Sequence, residues 1–132
     1  MAARIAAHRA RRGALWTTIE APLDPAGALA EAGARPALVD CLTLWVSNLM
    51  HEGRDVAAAG ETLCSALAQA RAPVVLVSNE VGLGIVPDNA LARAFRDEAG
   101  RLNQRVAACS ARVVFVAAGL PLTLKNEIEV SR

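Results

Sequence analysis

Aromatic residues and lysine are scarce in this chain of 132 residues, and their scarcity restricts the folds open to it. Tyrosine is absent, Trp and Phe together make up 3% of the residues, and a single lysine stands beside 13 arginines. Because 54% of the residues are hydrophobic and 29 are alanine, the core must be built from aliphatic side chains and small alanine contacts. This composition favours closely packed helices on a sheet over an aromatic-rich β sandwich. We assign Trp16 and Trp45 to the core.

The chain also lacks an excess of charge, a long apolar run and a metal-type cysteine pattern. A net charge of +1 provides no overall field for nucleic acid or a membrane surface. Apolar runs such as 74–77 and 113–118 are too short to span a bilayer, and no signal peptide opens the sequence. Cys41, Cys64 and Cys109 are isolated, odd in number and without metal-ligand spacing. We therefore expect a reduced, cytoplasmic location, with no membrane span and no nucleic-acid partner.

Apolar runs alternate with helical patterns along the chain, which is long enough for one domain. We predict five helices, over 1–12 (ending at Gly13), from Pro25 to about Ala32 with Asp24 as its cap, and at 41–50, 56–71 and 89–108. We predict strands at 15–19, 36–40, 73–79 and 112–119, and a short strand at 122–125. Three Val- and Leu-rich strands without alternation, separated by helices, indicate a parallel sheet buried on both faces. The predicted class is α/β.

Polar residues follow two of these strands, where ligands bind in open α/β sheets. Asp40 ends one strand, and Ser78, Asn79 and Glu80 follow another. An acid at the tip of a buried strand can hold Mg²⁺ beside nucleotide phosphates. Alternatively, Asp40 caps the helix that follows it. The pattern alone leaves both interpretations open.

A cationic cluster surrounds His8 in the first predicted helix. Arg4 and Arg12 lie four residues on either side of His8 and Arg11 lies three away, so the four side chains share a helix face. Neighbouring positive charges disfavour a charged imidazole, which would leave His8 neutral and nucleophilic near pH 7. Each guanidinium group can bind a phosphate through two parallel hydrogen bonds, so the arginines could hold phosphate oxygens. The alternatives are an exposed basic helix end and, more weakly, a nucleic-acid patch.

Glycines in two other segments suggest close backbone contacts. Gly82 and Gly84 follow a strand, where glycine permits close approach to a ligand or a positive φ, although their spacing is not a phosphate-binding fingerprint. Arg96, Gly100 and Asn103 share a stripe of the long predicted helix. A glycine inside a helix costs about 1 kcal/mol relative to alanine, so we expect Gly100 to serve core packing or a subunit contact.

Four segments in this order cover most of the chain: AARIAAHRARRGALWTTIEAP, LVDCLTLWVSNLM, VVLVSNEVGLGIVPDNALARAFRDEAGRLNQRVAA and VVFVAAGLPLTLK. Together they closely resemble the bifunctional adenosylcobinamide kinase/adenosylcobinamide-phosphate guanylyltransferase family of cobalamin biosynthesis. The resemblance implies a RecA-like P-loop α/β fold with a mostly parallel sheet flanked by helices, and a homo-oligomer. It also implies two reactions: phosphorylation of adenosylcobinamide by ATP or GTP, and transfer of GMP from GTP to adenosylcobinamide phosphate through a guanylylated histidine, giving adenosylcobinamide-GDP.

The resemblance also implies roles for individual residues. His8 stands at the position of the guanylylated histidine, and Arg9, Ala10, Arg11 and Arg12 match the segment that contacts the guanine nucleotide. Two further nucleotide-contacting positions are occupied by acids, Glu20 and Asp40, and many relatives have glutamate where this chain has Asp40. The implied ligands are GTP, ATP and Mg²⁺, with Asp40 as the candidate Mg²⁺ residue.

One departure from the family concerns the phosphate loop. Relatives carry a G-x-x-x-x-G-K-[ST] loop after a first strand, and no such segment occurs in these 132 residues. We expect residues 1–132 to form a single nucleotide-binding domain that is incomplete at its amino end, without the first strand and the phosphate loop. We therefore expect the kinase step to be lost, and guanylyl transfer to be badly impaired, in this chain alone. The alternative is a non-catalytic nucleotide-binding or oligomerisation fragment of the same fold.

Overall fold

The computed structural model describes residues 13–128, which form four helices and four strands. In chain order these are α1 (Pro25–Ala32), β1 (Ala37–Asp40), α2 (Leu42–His51), α3 (Val56–Ala68), β2 (Val74–Val77), α4 (Ala90–Cys109), β3 (Arg112–Ala117) and β4 (Leu120–Asn126). Their order confirms the predicted alternation of strands and helices and the α/β class. The helix predicted over 1–12 lies outside the described residues.

Side-chain caps fix where three of the helices begin. Asp24 Oδ1 accepts a hydrogen bond from Gly27 N at 2.8 Å, as predicted, and Pro25 follows it as the first helical residue. Asp55 caps α3 and Asn89 caps α4 in the same way, at 3.0 and 2.8 Å. Each cap pairs a backbone N–H that has no partner within its own helix.

The core consists of aliphatic side chains from three helices, packed around one tryptophan. Its buried members are Leu42, Trp45, Val46, Leu49, Val56, Leu63, Ala99, Leu102 and Val106. Trp45 is buried as predicted, and its Nε1 donates to Leu23 O at 3.1 Å. Trp16 is half-exposed, so its assignment to the core was wrong.

The parallel sheet has two strands, with β1 and β2 paired from Ala37–Val74 to Asp40–Val77. Val39 and Leu76 pack against the core. Leu38 and Val75 point to the other face and are exposed. The expectation of a sheet buried on both faces is therefore wrong for the described residues, because helices cover only one face there.

The third predicted strand exists, but it does not join the parallel sheet. β3 pairs with β4 in a separate antiparallel hairpin, closed by a turn in which Ala118 and Gly119 have positive φ. A two-residue turn of this kind matches the twist of the flanking strands and joins them directly. The expectation that 112–119 extends the parallel sheet was therefore wrong. The hairpin contacts α4 through Lys125, whose Nζ donates to Ala107 O and Ala108 O at 3.3 and 3.0 Å.

The prediction of a strand at 15–19 was also wrong, because this segment has no regular secondary structure. Its β-prone residues have no strand beside them among the described residues, and Leu15 is almost fully exposed. Strand propensity alone does not form a strand when no neighbour supplies backbone hydrogen bonds and side-chain packing.

The close helix crossing lies at Gly60 and not at Gly100. A Cβ added at Gly60 would come within 3.0 Å of Leu102 Cδ1 and 3.4 Å of Arg105 Cδ, because α3 and α4 pack directly there. A Cβ added at Gly100 would meet nothing within 4 Å. Among the described residues, the expectation that Gly100 serves core packing is therefore wrong.

These environments predict opposite outcomes for two matched substitutions. Gly100→Ala gains helix propensity without a steric cost, so it should raise the free energy of unfolding by about 0.5–1 kcal/mol. Gly60→Ala gains the same propensity but crowds Leu102, and overpacking costs about 1–3 kcal/mol, so it should lower that free energy. Urea denaturation of both variants measures the difference. Equal stabilisation by the two alanines would show that α3 and α4 do not pack closely at Gly60.

Candidate functional site

A network of polar side chains joins α2, the end of β2 and α4. Thr43 Oγ1 accepts hydrogen bonds from Asn79 N at 2.8 Å and from Asn79 Nδ2 at 3.0 Å. Ser78 Oγ donates to Asn103 Oδ1 at 2.6 Å, and Asn103 Nδ2 donates to Asn79 O at 3.2 Å. These contacts hold the chain where it leaves the sheet, at the edge where open α/β sheets bind ligands.

The loop that follows β2 is fixed to α4 by two arginines. Arg96 Nη2 donates to Gly82 O at 2.7 Å, and Arg93 Nη1 donates to Pro87 O at 3.0 Å. Glu80 Oε1 accepts from Gly82 N at 2.8 Å, and a Cβ at Gly82 would come within 2.7 Å of that same oxygen. Gly82 therefore permits a turn around the Glu80 carboxylate. Neither Gly82 nor Gly84 has a positive φ, so the alternative that these glycines serve a positive backbone φ is wrong.

Asp40 lies exposed at the carboxyl end of β1, in register with Val77 of β2. The N-cap of α2 is Cys41, whose side chain makes no capping hydrogen bond. The alternative that Asp40 caps this helix was therefore wrong. Asp40 and Ser78 lie at the same edge of the sheet, because Asp40 pairs with Val77 and Ser78 directly follows Val77.

Asp40 fits a cation only together with oxygen atoms from a ligand. Residues 13–128 contain no cluster of three or more His, Cys, Asp or Glu side chains that could hold a metal. Mg²⁺ is commonly bound by one or two carboxylates, with water and substrate phosphates as the remaining ligands. The exposed Asp40 carboxylate at the end of β1 is consistent with that mode.

The other predicted site residues fall into two groups. His8, Arg9, Ala10, Arg11 and Arg12 lie outside the described residues. Glu20 is exposed in the irregular segment before α1.

Sequence reasoning missed Thr43, although a hydroxyl in the first turn of a helix directly after a strand-end acid is a readable signal. It placed Arg96 and Asn103 on one helix stripe but gave them no role, whereas both hold the chain that follows β2.

A cavity in the described part of the chain lies at the opposite edge of the sheet. It has a volume of about 350 Å³ and is lined by residues including Ala37 and Val74, the first residues of β1 and β2. Arg35 also lines it, but its guanidinium donates to Ala32 O and Glu31 O at the end of α1. This cavity is separate from the strand-end network, which consists of Thr43, Ser78, Asn79 and Asn103.

The fold and site define a class of protein: an α/β protein with polar groups gathered where its parallel strands end. Comparison with known proteins identifies the family. The chain belongs to the cobinamide kinase / cobinamide phosphate guanyltransferase family, whose sequence model matches residues 1–124.

Three curated relatives agree with this assignment. The bifunctional adenosylcobalamin biosynthesis protein CobP of Pseudomonas aeruginosa is 48% identical over 132 residues, which cover 96% of this chain and 76% of the relative. The bifunctional adenosylcobalamin biosynthesis protein CobU of Salmonella typhimurium is 41% identical over 142 residues, covering 95% and 78%. The protein of the same name from Escherichia coli is 39% identical over 145 residues, with the same coverages.

None of the helices between residues 13 and 128 is both long and apolar enough to cross a membrane.

The hydrogen bonds of Thr43 predict a stability difference between two threonine substitutions. Thr43→Val removes the acceptor of both Asn79 bonds, so the free energy of unfolding should fall by about 1–2 kcal/mol. Thr62→Val is the matched control, because the exposed Thr62 hydroxyl donates to Ala58 O within its own helix; a change within about 0.5 kcal/mol is expected. Denaturant titration measures both. Equal losses would contradict a bridging role for Thr43.

Proposed function

We propose that this chain binds GTP at the carboxyl ends of β1 and β2 and transfers GMP to adenosylcobinamide phosphate, with His8 as the group that carries GMP. The observation that carries the proposal is the 48% identity to a bifunctional adenosylcobalamin biosynthesis protein over 96% of the chain. The exposed Asp40 and the Thr43–Asn79–Asn103 network at one sheet edge support the location. We further propose that residues 1–132 form a single nucleotide-binding domain with a RecA-like P-loop-type sheet, and the parallel pairing of β1 with β2 supports that fold.

The chemistry of the transfer suits an imidazole better than an amine. A neutral imidazole nitrogen of His8 attacks the α-phosphorus of GTP, the bond from that phosphorus to the bridging oxygen breaks, and pyrophosphate leaves. The N–P bond that forms is labile, so a phosphate oxygen of adenosylcobinamide phosphate can displace the imidazole and take up GMP. A lysine would be protonated near pH 7 and less available for the attack.

The remaining roles concern charge on the phosphates. Arg9, Arg11 and Arg12, with the backbone of Ala10, would contact the guanine nucleotide, and Glu20 is proposed as a further contact. Asp40 would hold Mg²⁺, which when bound neutralises charge on the phosphate oxygens and the leaving pyrophosphate. We also propose ATP as a ligand, because the family resemblance implies that ATP or GTP phosphorylates adenosylcobinamide.

The proposal also includes assembly with further copies of the chain. Val116, Leu120 and Leu124 of the β3–β4 hairpin are each more than half exposed. Val75, which pairs with Leu38 in the parallel sheet, is also more than half exposed. Monomeric proteins rarely expose contiguous apolar patches of large area. A homo-oligomer would cover them. A cytoplasmic location completes the proposal, and the three free thiols support it.

The proposed histidine predicts a covalent label that depends on one side chain. Incubation with α-labelled GTP and Mg²⁺ should give a protein-bound label that is lost in acid and stable in base, as expected of a phosphoramidate. His8→Ala should remove at least about 99% of it, since no other group replaces a lost nucleophile. Gel autoradiography after denaturation measures the label.

His51→Ala is the matched control, because His51 is the only other histidine and lies exposed at the end of α2. Its label should equal that of the unmodified protein. Absence of label from the unmodified protein, with GTP binding retained, would favour the alternative of a non-catalytic nucleotide-binding module. Label that persists in His8→Ala would contradict the assignment of the histidine.

A further inference from the structure

Two cysteines that are 45 positions apart in the sequence meet in the structure. Cys64 lies on α3 and Cys109 is the last residue of α4, and their Sγ atoms are 3.1 Å apart. Both thiols are free. Along the sequence these cysteines are isolated, and nothing in their spacing indicates the contact.

The packing of α3 against α4 holds the two sulfurs together. Leu63 is fully buried beside Cys64 in the core that Leu102 and Val106 of α4 complete. Arg105 of α4 donates to Glu61 Oε1 at 3.2 Å and to Ala57 O, which fixes the two helices along the same crossing.

The two thiols have different surroundings. Cys64 is partly buried, and burial together with the nearby Cys109 thiol raises its pKa to about 11. Cys109 is exposed, and its Sγ lies 3.3 Å from Val106 O in the last turn of α4. Cys109 is therefore the accessible sulfur, and Cys64 is the second sulfur within its reach.

We propose that Cys64 and Cys109 are a dithiol modification site, which low-molecular-weight disulfides convert to an intramolecular disulfide between α3 and the end of α4. A disulfide bond is about 2.05 Å long, so the sulfurs need to approach by only about 1 Å. The site is separate from the strand-end network and does not rest on the proposed GMP transfer.

The oxidation proceeds by two exchanges when glutathione disulfide is the oxidant. The thiolate of Cys109 attacks one glutathione sulfur, a mixed disulfide forms, and the other glutathione leaves as a thiolate that takes up a proton. The thiolate of Cys64 then attacks the Cys109 sulfur and releases the second glutathione. Two cysteine thiols are oxidised and one glutathione disulfide is reduced to two glutathione thiols, whose protons come from the two cysteines.

The new bond would close a covalent loop over residues 64–109, which contains β2, α4 and the Ser78 and Asn79 part of the strand-end network. A loop of this length lowers the entropy of the unfolded chain, which stabilises the folded protein. The melting temperature should rise by about 10 °C on oxidation and return to its original value on reduction.

The test is incubation of the full chain with glutathione disulfide, followed by alkylation and peptide mapping without reduction. We expect one linked peptide pair that contains Cys64 and Cys109, free thiols falling from three to one per chain, and the rise in melting temperature. Cys41→Ser is the matched control, because it keeps the pair and should give the same link.

Cys109→Ser and Cys64→Ala should each abolish the link and the thermal shift. Alanine at position 64 avoids placing a new hydroxyl in a partly buried site, and the mapping of the unmodified chain does not depend on either variant. Cys109 found only as a stable glutathione adduct, or only in links between chains, would overturn the proposal. A link that involves Cys41 would overturn it as well.

Discussion

The arrangement of the strand ends depends on the hydrogen bonds that Thr43 Oγ1 accepts from Asn79. A chain that leaves a parallel strand must turn away from the sheet, and its backbone N–H needs a new partner at that point. Here the partner comes from the first turn of α2, three residues after Asp40. The same contact therefore orders the exit from β2 and sets it beside the carboxylate that ends β1.

A second support comes from the packing of α3 against α4. Gly60 lets α4 come close enough for Leu102 to enter the core. The next residue of the same helix, Asn103, contacts Ser78 and Asn79 at the strand ends. Close packing on one side of α4 thus positions polar groups on another side. This relation explains how an alanine-rich helix serves both the core and the site.

Most helices, the Asp24 cap and the strands of the sheet could be predicted from the sequence, because apolar runs and N-cap residues are local signals. Asp24 before Pro25 is one example. The pairing of β3 with β4, the exposure of Trp16 and the contact of Cys64 with Cys109 could not, since each depends on which distant segments meet. At the site, the pattern located Asp40 and Asn79, but the bridging role of Thr43 depends on a helix placed by the core.

We propose that the Asp40 carboxylate, through the Mg²⁺ it would hold, acts on the phosphates of the nucleotide that reacts with His8. The most direct test of this role is the Mg²⁺ concentration that gives half-maximal covalent labelling by α-labelled GTP. Asp40→Asn should raise that concentration by about 10–100-fold, as expected when a group that holds the metal is lost. Asp97→Asn, an exposed carboxylate on α4, should leave it unchanged. Equal Mg²⁺ dependence in Asp40→Asn and the unmodified protein would contradict the account.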